Sequence, residues 1–203
     1  TLLRWLAVDA AVDTTGGGTT WGAAVPFFVP LRSYARRDFP SPESLPESVA
    51  GVIAAEMPAG WVTERLRAGR AMLLVDGLDE LEPARRSDAR AWLDQLVGAY
   101  PETRVVVSAR PFAVAEDWLA PNGFVTFDLL PLSPAGIEAF LRAWHTAASE
   151  QHEGDAAMQD WLEACERGLR EQLAARSELR RLAGTTLLCG LLCALYQDRN
   201  MHL

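Results

Sequence analysis

Arg70-Ala71-Met72-Leu73-Leu74-Val75 is a continuous apolar run of strand length, and it ends abruptly in acid at Asp76-Gly77-Leu78-Asp79-Glu80. A run with no polar alternation suits a strand buried on both faces, as in a parallel sheet covered by helices. Downstream, Arg85 to Ala99 reads as an amphipathic helix with Trp92, Leu93, Leu96 and Val97 on one face. A second uninterrupted run follows, Arg104-Val105-Val106-Val107-Ser108-Ala109, which ends in Arg110 and Pro111, and Phe124 to Leu130 reads as a further strand. Upstream, Ala24 to Leu31 is an apolar run whose prolines demand an end or edge position in a sheet. Helical spacing of Leu2, Leu3, Leu6 and Ala7 opens the chain and runs to about Val12. A glycine-rich loop covers Thr14 to Thr20, and helices are expected over Glu47 to Glu56 and Trp61 to Ala68. Strands alternating with helices define an α/β architecture.

From Ser133 onward only helices are expected. Ser133-Pro134 supplies an N-cap followed by proline at the first helical position, and Ile137, Phe140, Leu141 and Trp144 share one side of the helix it starts. A polar segment, Thr146 to Asp155, leads to helices over about Met158 to Ala174, Ser177 to Leu182 and Thr186 to Tyr196. The chain therefore divides into an α/β core over residues 1–132 and a helical subdomain over 133–203.

Composition narrows the function classes. With 49% hydrophobic and 23% charged residues in 203, the chain is an ordinary globular one. A net charge of −8 argues against a nucleic-acid binder, which needs a basic face to neutralise phosphates. Three cysteines make no disulfide framework; Cys189 and Cys193, four apart in an apolar helix, read as buried thiols, and a reducing cytoplasmic setting fits. No metal-ligand cluster forms with His145, His152 and His202, and the longest apolar stretch, Leu182 to Tyr196, is too short to span a bilayer. The chain lacks an initiator Met and starts inside a helix, which reads as an internal piece of a larger protein. Abundant alanine, arginine and tryptophan point to a high-GC bacterial source.

The acidic break carries the chemistry. A parallel strand that delivers a carboxylate at its carboxyl end is how P-loop NTPases hold magnesium beside nucleotide phosphates, and Asp76 is placed for that work. Standing alone, an apolar run capped by one aspartate is more often a solvated strand end. The added Gly77-Leu78-Asp79-Glu80 makes the pattern specific. Leu74-Val75-Asp76-Gly77-Leu78-Asp79-Glu80 resembles the extended Walker B motif of NACHT ATPases, within the STAND class of P-loop signalling NTPases. Val105-Val106-Val107-Ser108-Ala109-Arg110-Pro111 is similar to that family's sensor strand, which ends in an arginine near the terminal phosphate; a guanidinium there binds phosphate oxygens with fixed geometry. Phe28-Val29-Pro30-Leu31-Arg32, Leu130-Pro131-Leu132-Ser133-Pro134 and Leu182 to Tyr196 agree with the family in order and spacing.

The resemblance implies a P-loop three-layer sandwich with a parallel sheet, followed by a helical subdomain. It implies ATP or ADP with Mg2+ as cofactors, Asp76 on the metal, and Asp79 and Glu80 positioning the hydrolytic water, with no choice between those two. It further implies Arg110 at the terminal phosphate, Thr1 at the α-phosphate just after the phosphate loop, and Thr186 on the adenine side. Slow hydrolysis would then run a molecular switch, with nucleotide exchange controlling self-association in immune sensing or antiviral defence. No nucleic acid or membrane partner is expected.

Two departures stand out. The phosphate-binding loop G-x-x-x-x-G-K-[ST] does not occur in these residues, so this piece alone should bind ATP poorly and be inactive as an ATPase. Thr186 stands where the family usually has proline. A non-hydrolysing scaffold for protein interaction is therefore the second reading, and a nucleic-acid motor the third, weakened by the acidic balance. Arg176, Arg180 and Arg181 read as a solvated basic face, with nucleotide or partner contact the alternative.

Overall fold

The computed structural model describes residues 2–16, 21, 23–111, 113–115 and 117–198, with the backbone alone for 13–16. Thr1 lies outside the described residues, as does most of the glycine-rich loop. The chain forms two compact units, residues 1–126 and 127–203.

In the first unit, the described residues form one parallel sheet in the order β1 (Val25–Pro30), β2 (Ala71–Asp76), β3 (Arg104–Val107). The central place of β2 explains its composition. Ala71 to Val75 are all buried, because one face meets the opening helix and the other meets one helix from before β2 and one from after it. Alternation along the strand does the sorting. Met72 and Leu74 pack with Leu3 and Ala10 of α1 (Leu2–Gly16), whereas Leu73 and Val75 pack with Val62 and Leu66 of α4 (Trp61–Arg67) and with Ala89 and Leu93 of α5 (Pro83–Ala99). The result is a three-layer α/β arrangement, as the uninterrupted apolar run requires.

The prolines of β1 behave as the sequence reading requires, since β1 is an outer strand of the described sheet and pairs with β2 alone. Its register brings Pro30 beside Asp76, and that of β3 brings Val107 beside Val75, so all three strands end at one edge.

Three expectations need correction. Residues 47–56 form two short helices, α2 (Glu47–Ala50) and α3 (Val52–Ala55), because Gly51 takes φ +48° and ψ −116°, which breaks the helical ladder. The opening helix continues past Val12 to Gly16. Residues 124–130 form no strand. Extended backbone becomes a strand only when a neighbouring ladder takes its N–H and C=O groups and something covers its side chains. Residues 124–130 join no strand ladder among the described residues, and Phe127 is left 85% exposed, with Val125, Leu129 and Leu130 exposed beside it.

The second unit is all helical: α6 (Pro134–Glu150), α7 (Ala156–Ala175), α8 (Ser177–Leu182) and α9 (Thr186–Asp198). Ser133 caps α6 as its sequence suggests, its Oγ accepting the Gly136 N–H at 3.1 Å. Helix α6 runs to Glu150 and so absorbs the first part of the segment expected to be loosely patterned. Ile137, Leu141, Leu169, Leu173 and the thiols of Cys165, Cys189 and Cys193 form the core. Burial raises all three thiols, Cys193 to about 12. Gly168 lets Tyr196 approach α7, since a Cβ there would collide with the tyrosine hydroxyl. Trp144 is less buried than its helical phase suggests; it stacks on Phe140 over Gly190.

Candidate functional site

The carboxyl edge of the sheet gathers Asp76, Asp79, Glu80 and Arg110. Strand β2 carries Asp76 to the edge as its last residue, half-buried. The chain then turns through Gly77 in the left-handed region, φ +81° and ψ +49°, into a single 3₁₀ turn over Leu78–Glu80. Leu78 is buried in the core below and anchors that turn, so Asp79 and Glu80 are held at the rim by a side chain pointing the other way. A Cβ at Gly77 would press against the Glu80 side chain, at 3.1 Å from Cδ. Glycine is therefore required both for the backbone angle and for the space Glu80 occupies.

Ser108 ties β2 to β3 at this point. Its Oγ donates to Asp76 Oδ1 at 2.7 Å and accepts the Gly77 N–H at 3.0 Å. Its backbone continues the pairing beyond β3: Ser108 N–H donates to Val75 O at 2.9 Å, and Leu78 N–H donates to Ser108 O at 3.0 Å. One hydroxyl thus fixes both the carboxylate and the turn that follows it.

Arg110 sits against Asp79. Its backbone N–H donates to Oδ1 at 3.1 Å and its Nε lies 3.2 Å from Oδ2, so both carboxylate oxygens are engaged by one residue. The Asp79 side chain is 15% exposed and that of Arg110 84%. Glu80 is more open, and its Oε2 lies 3.9 Å from Arg32 Nε, a loose exposed pair worth little.

Arg86, on the first turns of α5, braces the loops from beneath. Its guanidinium donates to Leu81 O at 3.0 Å, to Asp79 O at 3.3 Å and to Ala113 O. Three carbonyls from two loops share one cation.

The structure therefore brings four of the sequence-named residues together. Thr1 lies outside the described residues. Thr186 is the first residue of α9 in the helical unit, and it is exposed. Ser108, Arg86 and Arg32 were not singled out from sequence as site residues. Ser108 had a signal, because it follows β3 as Asp76 ends β2, and serine in an otherwise apolar run demands a partner. Arg86 had none, being one arginine among several on a helix.

Magnesium fits the donor set in one way. No group of three or more acidic, His or Cys side chains among the described residues could enclose a metal ion. Magnesium does not need such a cage, since it takes one or two carboxylates and fills the rest with water and phosphate oxygens. Asp76 meets that need: among the described residues the hydrogen bond to its carboxylate is to Oδ1, and Oδ2 remains available. Among the described residues, no helix is long and apolar enough to cross a membrane.

A parallel sheet with helices on both faces, and a carboxylate, a paired acid and an arginine at its carboxyl edge, is the arrangement expected of an α/β protein of the P-loop class. The NACHT domain family model matches residues 1–148. The chain belongs to the NACHT family, P-loop NTPases of signalling and defence proteins that bind nucleotide, typically with Mg2+. No curated protein matches the chain.

Proposed function

We propose that these residues form the metal and γ-phosphate side of an ATP-driven switch, in which slow hydrolysis and nucleotide exchange control self-association. The observation that carries this reading is the cluster at the carboxyl edge, in which Ser108 holds Asp76 while Arg110 holds Asp79. Asp76 would hold Mg2+, whose chemistry when bound is to neutralise phosphate charge. Glu80 is the better placed of the two acids to orient the attacking water, because both oxygens of Asp79 are already engaged. Glu80 is the more exposed of the two and stays open to a water whether or not Arg110 leaves Asp79 for a phosphate.

Arg110 would be the sensor. Its guanidinium is exposed and tied to one carboxylate, so a γ-phosphate can draw it away from Asp79. Differential contact of this kind is what a nucleotide needs to shift a conformational equilibrium. Thr1 at the α-phosphate and Thr186 toward the adenine belong to the same proposal, as does the boundary near Leu132 between catalytic and helical parts. The cytoplasm is the expected compartment and bacterial antiviral defence the expected setting.

A chain extended upstream through a phosphate loop tests the roles. Glu80→Gln should retain Mg-ATP and lose turnover by about 10²-fold or more. Asp76→Asn should lose magnesium-dependent binding. If Asp76→Asn hydrolysed ATP like the wild type, the assignment would fail. The second reading, a non-hydrolysing scaffold, is favoured by one observation: Thr186 stands where the family usually has proline.

A further inference from the structure

Beyond their last paired residues, β2 and β3 are joined residue by residue. Ser108 N–H donates to Val75 O, Ser108 Oγ donates to Asp76 Oδ1 and accepts the Gly77 N–H, and Leu78 N–H donates to Ser108 O. Arg110 then engages both oxygens of Asp79. Each residue from Val75 to Asp79 is thus bonded to Ser108 or to Arg110, which stand two positions apart on one short segment. The strand on the other side offers nothing comparable, since Arg32 beyond β1 reaches Glu80 only at 3.9 Å. Arg86 spans the same two loops, but its bonds go to main-chain carbonyls and to neither carboxylate.

The hydroxyl of Ser108 has a fixed polarity. A peptide N–H can only donate, so the oxygen accepts from Gly77 and its single proton is left for Asp76. Rotation about the last bond of an aspartate is otherwise soft. With Oδ1 held at 2.7 Å, Asp76 presents Oδ2 in one orientation, which removes an ordering cost from a cation that binds there. Ser108 therefore prepares Asp76, and the segment it anchors carries Arg110.

We propose, on the nucleotide reading above, that Ser108 is the positioning residue through which the metal carboxylate and the sensor arginine are coupled. Mg2+ at Asp76 favours the arrangement in which Arg110 turns from Asp79 to the terminal phosphate, and that phosphate in return tightens the hold on Mg2+. Reciprocity follows because both ligands bias one element, the segment from Ser108 to Arg110. Ser108 acts through Asp76 Oδ1 and through the chain it shares with Arg110.

The test uses an upstream-extended chain as wild type, Ser108→Ala, Ser108→Thr, Arg110→Ala and the Ser108→Ala, Arg110→Ala double variant. Affinities for ATP and for ADP are measured calorimetrically with and without Mg2+. In the wild type, Mg2+ should strengthen ATP binding more than ADP binding. Ser108→Ala should cut that gain for ATP by about tenfold and leave the metal-free affinities within about twofold. Ser108→Thr should restore the gain. In the double variant, ATP-over-ADP discrimination should be no worse than in Arg110→Ala, as coupled residues require. A serine of structural importance alone would weaken binding with and without Mg2+ alike, and that result would overturn the proposal. If Ser108→Ala does not fold, Ser108→Cys, which offers only a weak donor, is read in the same way. A full Mg2+ gain in Ser108→Ala, or losses that multiply in the double variant, would also overturn the coupling while the nucleotide reading stands. A wild type that takes up neither nucleotide would remove both.

Discussion

Arg110 turns back on Asp79: its N–H donates to Oδ1 at 3.1 Å and its Nε lies 3.2 Å from Oδ2. The arginine proposed to sense the terminal phosphate is thereby held by an acid from the neighbouring loop. Arg110→Ala removes the guanidinium from an exposed position, so thermal unfolding should change by no more than about 0.5 kcal/mol. Discrimination between ATP and ADP, read by competitive titration in an upstream-extended chain, should fall about tenfold. Unchanged discrimination would remove Arg110 from the sensor role.

Ser108→Ala should be costlier than its small size suggests. The hydroxyl serves Asp76 Oδ1 and the Gly77 N–H together, and its loss leaves both without that partner in a half-buried position. Denaturant unfolding should report a loss of about 1–3 kcal/mol. Ser108→Thr keeps the oxygen and should recover most of it.

Gly77→Ala tests the turn. The new Cβ demands a left-handed angle and presses on Glu80, so we expect a loss of about 1 kcal/mol or more, with Glu80 displaced from the rim. Gly60→Ala, also at positive φ but with open space around it, should show the backbone cost alone. Equal losses at both sites would mean that Glu80 does not depend on Gly77.

Alkaline pH should loosen the helical unit through its thiols. Burial raises Cys193 from 9.0 to about 12, with Cys165 and Cys189 raised as well. Between those values the unfolded thiol ionises and the folded one does not, so the unfolded state binds fewer protons. Stability is therefore full below about pH 9 and declines as pH rises towards about 12. Cys193→Ser, followed by chemical denaturation across that range, should reduce the slope. The same burial predicts that thiol reagents label the three cysteines only on unfolding.

Much of this architecture was legible because its causes are local. Ala71 to Val75 could be read as a buried central strand, since five apolar residues in succession without proline suit a strand covered on both faces. Pro26 and Pro30 placed β1 at an outer position for want of N–H donors. Asp76 could be named because it ends a strand, and Asp79, Glu80 and Arg110 because the motifs that hold them resemble those of the family. What could not be read depends on company. Residues 124–130 have the composition of a strand, yet pairing is a property of two segments, and one cannot announce it alone. Gly51 was hidden in a helical run, because glycine is compatible with a helix interior as well as with a break. The reach of Arg86 to three carbonyls is set by how two loops meet over α5, which spacing along one helix does not encode.

The central claim is that this edge of the sheet serves a bound nucleotide. The most direct measurement is to purify an upstream-extended chain without added nucleotide, denature it, and identify what is released by chromatography. The account predicts near-stoichiometric ADP from the wild type, and much less from Asp76→Asn. A protein that releases nothing and also fails to take up Mg-ATP would contradict it, and Asp76, Asp79, Glu80 and Arg110 would then be residues that hold the sheet edge together and nothing more.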